Sequence, residues 1–402
     1  MKVSRFKHGW RYIIVILVVA ALGVFAVNQK FGGSEPLSKK LTKIAKEAFS
    51  NDRACPKNLS GILTAPLMDP KYISELTPLG NINPPGHTSP VDHIYFATDF
   101  TGEIPLLAPA DARITELTEI LKADSSGKYL PTGYVVRYVV CDGLVLDFAS
   151  YTSLIKPLRD ELAKLNPDCK YGIVKPGHTG GPEGQCYYNI SYKVKSGENI
   201  GWVQAVNSGD RLDLPFEIWA ANYNKPARSD VNWSFYNDDR YAHSMCTFDL
   251  YSGDLKKAFY AKFPRTIEPV CGQVNQDLVG TIQGMWYAGS SGESNLEFQG
   301  KGLAFLHNNF DPTQGEISIG GLITKQAGVV MFTPMHSGEI NREPSEVKID
   351  GKIYCYNTDQ GGTGVGGKVL VQLFDKHHMR VEHLAGACGS VETFQRATDY
   401  QR

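Results

Sequence analysis

The stretch Asn83-Pro84-Pro85-Gly86-His87-Thr88-Ser89-Pro90-Val91-Asp92-His93-Ile94-Tyr95-Phe96 places two histidines and an aspartate in a turn that runs into an apolar strand. Soon afterwards, residues 105–114 predict a strand, a tight turn with proline and aspartate, and another strand. Imidazole and carboxylate groups are ligands that zinc accepts. The stretch therefore predicts the mouth of a β-sheet, with His87 and Asp92 as two candidate zinc ligands.

Residues 85–225 alternate between apolar and polar side chains and are punctuated by turn residues, which indicates an antiparallel sheet. One helix is expected after Pro157, because Leu154, Leu158, Leu162 and Leu165 repeat every three or four residues. The predicted strands are 91–97, 104–107, 112–120, 133–140, 143–149, 188–194, 200–206 and 214–221.

Three segments of this domain resemble the lysostaphin-like zinc endopeptidases, which cut peptide cross-links in bacterial cell walls. They are the turn Ala108-Pro109-Ala110-Asp111-Ala112, the segment from Val194 to Val203 with its Gly197 and Ile200-Gly201, and the strand Pro215-Phe216-Glu217-Ile218-Trp219. The resemblance implies a β domain of that type with a groove for an extended peptide.

The resemblance implies a zinc site, but this chain lacks some of the residues that would complete it. His87 lies five residues before Asp92, one more than in the family, and no His-x-His occurs in the sequence. Ser150 stands where the family has a ligand histidine, and His178 in a glycine-rich loop is the remaining substitute. His93 is expected on the opposite side of the strand from Asp92. We therefore expect no cofactor, with zinc as the alternative.

The N-terminal residues 1–33 predict a membrane anchor or a signal segment. Lys2, Arg5, Lys7 and Arg11 precede an uncharged stretch of 18 residues that ends before Lys30. This length can span a bilayer, and the preceding basic residues place the rest of the chain outside the cytoplasm. A retained anchor is favoured over a cleaved signal. Residues 34–84 then predict a helix over 34–50 and a lead-in segment that docks on the first domain.

Eight cysteines without a Cys-x-x-Cys, in an exported chain, indicate structural disulfides. Pairing within domains is expected. It would join Cys271 to Cys388 or Cys355, and Cys141 to Cys169 or Cys186.

A second all-β domain, a small barrel or sandwich, is predicted over 271–395, after a connecting segment at 226–270 with a short helix at 255–263. Its strands are expected near 280–287, 303–307, 317–319, 329–332, 347–349, 352–356 and 368–374. The opening Gly284-Met285-Trp286 resembles lipocalin-like barrels, which implies an apolar ligand site beside Trp286. The glycine string 362–367 is interpreted as a hairpin turn, and His377, His378 and His383 as a surface cluster.

The overall composition excludes a nucleic-acid partner, because the net charge is −1 and the pI about 6.8. The sequence predicts a mainly β, membrane-anchored protein at the periplasmic or outer cell surface. Its peptidase-like domain binds a wall peptide or an envelope protein through residues such as His93, Ser150 and His178, without catalysis. The alternatives are an active zinc metalloendopeptidase of the wall and a carrier of small apolar ligands.

Overall fold

The computed structural model describes residues 53–84, 86–173, 182–208, 211–228, 231, 240–290, 299–358 and 365–402. This part of the chain is mainly β, as predicted. The apolar stretch before Lys30, the expected helix at 34–50 and His178 lie outside these residues. Within them, no helix has the length and apolar character that a membrane crossing requires.

Among the described residues, twelve strands form the sheets of the N-terminal part. They are β1 (Glu75–Thr77), β2 (His93–Thr98), β3 (Glu103–Leu107), β4 (Ala112–Ala123), β5 (Tyr129–Cys141), β6 (Leu144–Tyr151), β7 (Ser153–Leu154), β8 (Asp168–Ile173), β9 (Glu183–Val194), β10 (Asn199–Gln204), β11 (Val206–Ser208) and β12 (Arg211–Asn222). The large sheet has the order β1-β2-β12-β6-β5-β4-β9-β8, with β11 paired to β12, and the small sheet has the order β3-β10-β7. All the pairings are antiparallel.

The eight strands predicted for this part are all present, within a few residues at their ends. The short strands β1, β7, β8 and β11 were not predicted, because two to six residues carry little periodicity. The helix α1 (Lys156–Leu162) follows its prediction, and it buries Leu158 and Leu162. Leu165 is exposed beyond its end.

The turn that contains Asp111 packs against the turn that contains Lys195 and Ser196. The carboxylate of Asp111 accepts hydrogen bonds from the Ser196 backbone N–H and from Lys195 Nζ, both at 3.0 Å. The lead-in segment closes over them, since the Thr64 hydroxyl lies 2.7 Å from that of Ser196. Seven of its side chains are buried in the same core, namely Ile62, Leu63, Leu67, Met68, Ile73, Leu76 and Leu79.

The helices α2 (Arg240–His243) and α3 (Gly253–Tyr260) lie in the predicted connecting segment. Phe259 of α3 is fully buried against Phe248, with ring centroids 4.7 Å apart. The short helix predicted at 255–263 is therefore confirmed, beginning two residues earlier.

In the C-terminal part, the residues that the structure describes form one antiparallel sheet of eight strands. They are β13 (Gly284–Tyr287), β14 (Gly302–His307), β15 (Gly315–Ile319), β16 (Gly328–Phe332), β17 (Tyr354–Asn357), β18 (Lys368–Leu373), β19 (His378–Leu384) and β20 (Thr398–Gln401). Their order is β16-β15-β14-β13-β20-β19-β18-β17. Although β16 and β17 are at opposite ends of this order, the Phe332 and Tyr356 rings lie 4.9 Å apart. The sheet therefore curls into a nearly closed barrel.

Two details of this sheet differ from the prediction. Residues 347–349 are not a strand, because Pro344 begins a 3₁₀ turn at Pro344–Glu346 and Val347 caps it. The strands β19 and β20 were missed, since charged and histidine side chains interrupt their apolar pattern.

The outer face of the barrel-like sheet supports the segment that opens the first domain. The Tyr287 hydroxyl lies 2.8 Å from that of Ser89. A Cβ atom on Gly302 would lie 3.0 Å from Thr88 Cγ2, so the close approach favours glycine there. The segment with His87 and Asp92 is thus held between the two large sheets.

Four disulfides join Cys55 to Cys141, Cys169 to Cys186, Cys246 to Cys271, and Cys355 to Cys388. The predicted partners of Cys141 and Cys271 are wrong. Cys141 ends β5 beside the lead-in segment and pairs with it, whereas Cys169 and Cys186 face each other across β8 and β9. Cys271 pairs with the connecting segment instead of the C-terminal sheet. Sequence spacing alone does not reveal these neighbours.

Candidate functional site

Asp92 is the centre of the site. It lies immediately before β2 and is 2% exposed. Its Oδ1 accepts hydrogen bonds from Trp219 Nε1 at 2.9 Å and is 3.2 Å from His93 Nδ1. Its Oδ2 accepts from Arg240 Nε at 2.8 Å. A carboxylate surrounded by three donors, one of them a cation, is a satisfied ion and not a vacant metal ligand.

A row of polar side chains crosses the sheet beside Asp92. Direct pairing between neighbouring strands places His93 opposite Trp219, Trp219 opposite Asp147, Asp147 opposite Arg137, and Arg137 opposite Glu116. Cross-strand partners share a face of the sheet and lie within contact distance. The register of five strands therefore builds the row.

Two arginines neutralise the carboxylates of this row. Arg137 binds Asp147 through two hydrogen bonds, from Nε at 2.7 Å and from Nη2 at 2.9 Å, and its Nη1 lies 3.4 Å from Glu116. Arg240 reaches Asp147 as well, at 3.2 Å from its Nη1. The Arg240 guanidinium thus bridges the two buried carboxylates Asp92 and Asp147, and it also lies 5.0 Å from the Trp219 ring.

The charges of the row are stabilised by their partners. Burial alone raises the pKa of Asp92, but the hydrogen bond with His93 and the charge of Arg240 outweigh it, so the pKa is lowered. Burial lowers the pKa of Arg137, and the bonds to Asp147 reverse this and raise it. Both groups are therefore ionised in the folded protein at neutral pH.

His93 joins Asp92, contrary to the expectation that it would point away. Asp92 precedes the first residue of β2, so strand alternation does not apply between them, and the imidazole turns back to the carboxylate. The His93 ring packs between Trp219 and Tyr95, with centroid distances of 4.7 and 4.6 Å.

The backbone of His87 pairs with that of Asn83. Its N–H and C=O exchange hydrogen bonds with Asn83, and its ring centroid is 5.7 Å from that of His93. Among the residues that the structure describes, no group of three or more histidine, cysteine, aspartate or glutamate side chains is arranged to hold a metal ion. The predicted pair of His87 and Asp92 thus gains no third ligand there.

Two adjoining cavities form a groove over the same face of the sheet. The larger measures about 720 Å³ and the smaller about 450 Å³, and both are lined by Gln185 and Trp219. Ser150 lines the larger cavity, with a φ of 67°. The lining mixes apolar and polar side chains and carries both signs of charge, with Lys122, Thr132, Glu217, Arg137 and Asp147 among its residues. Such a mixed lining offers both apolar contacts and hydrogen-bonding groups to a ligand.

Trp286 lies inside the C-terminal sheet. It is fully buried, and its indole N–H donates to the Ile282 carbonyl at 2.8 Å. The Arg402 guanidinium covers its ring at 4.2 Å. Its neighbours fill the interior with packed side chains, among them Leu303, Phe305 and Tyr356. Trp286 is therefore a core residue, and its surroundings do not support the predicted apolar ligand site.

The histidines near the C-terminus do not come together as one site. His378 Nδ1 lies 2.9 Å from Asp375, and His383 Nε2 lies 2.7 Å from the Gly366 carbonyl. They are at opposite ends of β19.

Sequence reasoning missed Arg240, Trp219, Arg137 and Asp147. Arg240 is 148 residues beyond Asp92, in a segment without periodicity, so no local pattern predicts the contact. The charged residues Arg137 and Asp147 interrupt otherwise apolar strands, and that interruption was an available signal.

Comparisons of this chain with protein-family models, with curated proteins and with solved structures found no match.

Proposed function

We propose that this chain is a membrane-anchored, extracytoplasmic protein of the cell envelope whose peptidase-like sheet binds an extended wall peptide without hydrolysing it. The observation that carries the proposal is the pairing of Asp92 with Arg240. The resemblance assigns a zinc ligand to the Asp92 position, and here a guanidinium neutralises that carboxylate.

A second cation has little to gain at this position. Both oxygens of Asp92 already accept hydrogen bonds, and Asp147 is shared between Arg137 and Arg240. A zinc ion would have to displace Arg240 and then tolerate its charge nearby, in a buried setting where repulsion is strong. Catalytic zinc also needs three protein ligands and a water. The chemistry of the site therefore favours binding over hydrolysis.

The groove supports the choice of an extended peptide. Its floor is formed by β4, β5, β6, β9 and β12, and it exposes hydroxyl, amide, carboxylate and amine groups along its length. A peptide in an extended conformation presents alternating donors and acceptors that such a floor can bind. The four disulfides and the N-terminal apolar stretch favour an oxidising location at the membrane.

The experiment combines binding, hydrolysis and metal content on the full chain purified in detergent. We expect synthetic wall peptides to bind, to remain intact over hours, and to bind equally well after treatment with a chelator. Trp219→Ala, which opens the floor of the groove, should weaken the binding. An Arg380→Ala variant on the C-terminal sheet serves as the control.

The metallopeptidase alternative makes the opposite prediction. Retention of one zinc per chain, together with peptide cleavage that disappears in His87→Ala, would show that the proposed function is wrong.

A further inference from the structure

We infer that the groove contains a subsite for a primary ammonium group, formed by His93, Glu217, Tyr95 and Trp219. This inference deepens the proposed function and rests on it, because it names the class of peptide that the groove selects. That class is a peptide that carries a free amine.

With His93 in its neutral form, the subsite contains two hydrogen-bond acceptors that face each other, His93 Nε2 and Glu217 Oε2. Since Asp92 accepts from Trp219 and Arg240, its partner His93 Nδ1 supplies the proton of their hydrogen bond. In its neutral form, the imidazole has its lone pair on Nε2. This Nε2 is buried, has no hydrogen-bond partner, and lies 4.0 Å from Glu217 Oε2. His93 as a whole is 5% exposed.

An ammonium group fits this arrangement chemically. It has three donors and no acceptor, so a single nitrogen can bind both Nε2 and the carboxylate. Leaving a buried acceptor unpaired costs free energy that such a ligand would recover. The remaining walls are aromatic, because Tyr95 is directly opposite Glu217 in the register, and Trp219 is opposite His93. Aromatic rings around a cation add a further attraction.

The subsite is reached from the groove through Glu217. This side chain is 31% exposed and lines the cavity of about 720 Å³ together with Trp219. His93 does not itself line the cavity, so binding at its buried Nε2 requires Glu217 to rotate outward. The ammonium group therefore enters as part of a peptide that lies along the groove.

This chemistry has a consequence for the choice of wall peptide. Cross-linking converts the free amine of a diamino residue into an amide, which has no positive charge and only one donor. The subsite thus selects peptides that are not yet cross-linked.

The test uses the full chain in detergent and two synthetic wall stem peptides that contain one lysine, with the α-amine acetylated in both. One peptide has a free lysine side chain and the other is acetylated there. By calorimetry we expect the free amine to bind about tenfold more tightly, as for one charge-assisted hydrogen bond. Glu217→Gln should abolish this preference, whereas the exposed Glu161→Gln on α1 should keep it. Thermal unfolding of the parent and of both variants checks that they fold, and the three midpoints should be equal.

Each other outcome is decisive. If both peptides bind equally to the parent chain, the ammonium subsite is wrong and the groove proposal stands. If the preference survives in Glu217→Gln, the assignment to Glu217 and His93 is overturned. If neither peptide binds, the proposed function fails, and the subsite fails with it.

Discussion

Arg240 Nε lies 2.8 Å from Asp92 Oδ2, and Nη1 of the same guanidinium lies 3.2 Å from Asp147 Oδ2. One cation thus joins the residue that precedes β2 to the middle of β6. Both carboxylates are almost completely buried, at 2% and 3% exposure. The stability of this region therefore depends on a residue from the connecting segment.

Arg240→Ala should lower the free energy of unfolding by about 3 kcal/mol, because it removes a partner from two buried carboxylates. Urea denaturation followed by circular dichroism measures the change. Arg380→Ala is the matched control, since its pair with Asp399 is exposed at 3.3 Å, and it should cost less than about 1 kcal/mol. Equal stabilities of the two variants would contradict the role of Arg240.

Asp92 should make the stability of the protein depend on pH in the acid range. Its pKa is below the ordinary value of 3.8 in the folded state, because the bonds from His93 and Arg240 outweigh burial. Its contribution to stability is therefore present above pH 3.8 and is lost as the pH falls through the lower folded pKa.

As the pH is lowered from 6 to 2, the free energy of unfolding should fall less steeply in Asp92→Asn than in the parent chain. The exposed Asp254→Asn is the control and should follow the parent curve. If Asp92→Asn has the same acid dependence as the parent chain, the partners of Asp92 do not lower its pKa in the folded protein.

Glu316 on β15 should affect stability in the opposite direction to Asp92, because it lowers the stability as the pH rises. Burial raises its pKa from 4.5 to about 7, although a hydrogen bond from Asn308 lowers it in part. The folded state then holds a proton that the unfolded state releases between these values. Stability should fall as the pH rises from 4.5 to about 7.

Glu316→Gln replaces the protonated carboxyl with a neutral amide and should remove this fall. At pH 8 it should stabilise the protein by about 2–3 kcal/mol, which thermal unfolding across the pH range measures. The exposed Glu339→Gln should have no comparable effect. A Glu316→Gln variant that is less stable than the parent at pH 8 would contradict the burial of this charge.

The disulfides should differ in their contribution to stability. Cys55–Cys141 closes a loop of 86 residues, and Cys169–Cys186 closes one of 17. Loop-closure entropy predicts losses of about 4.5 and about 3 kcal/mol for the respective double alanine variants. Urea denaturation of both variants gives the order, and a larger loss for the short loop would overturn the entropic account.

The local pattern of the sequence determined much of the fold. Strands such as β4, β5 and β6 were predicted because alternation and turn residues are local properties of the chain. The same reasoning led to α1, where Leu158 and Leu162 repeat at helical spacing. It also singled out Asp92, although as a candidate zinc ligand beside His87.

Only the tertiary structure decided what Asp92 does. Its partners Trp219 and Arg240 are 127 and 148 residues away, and strand order and register bring them together. The disulfide partner of Cys141 depends in the same way on where the lead-in segment packs. Short-range periodicity reports which face of an element is buried, but not which distant element covers it. The contacts of Asp92 with Trp219 and Arg240 form only when distant elements pack together, so periodicity along the chain does not predict them.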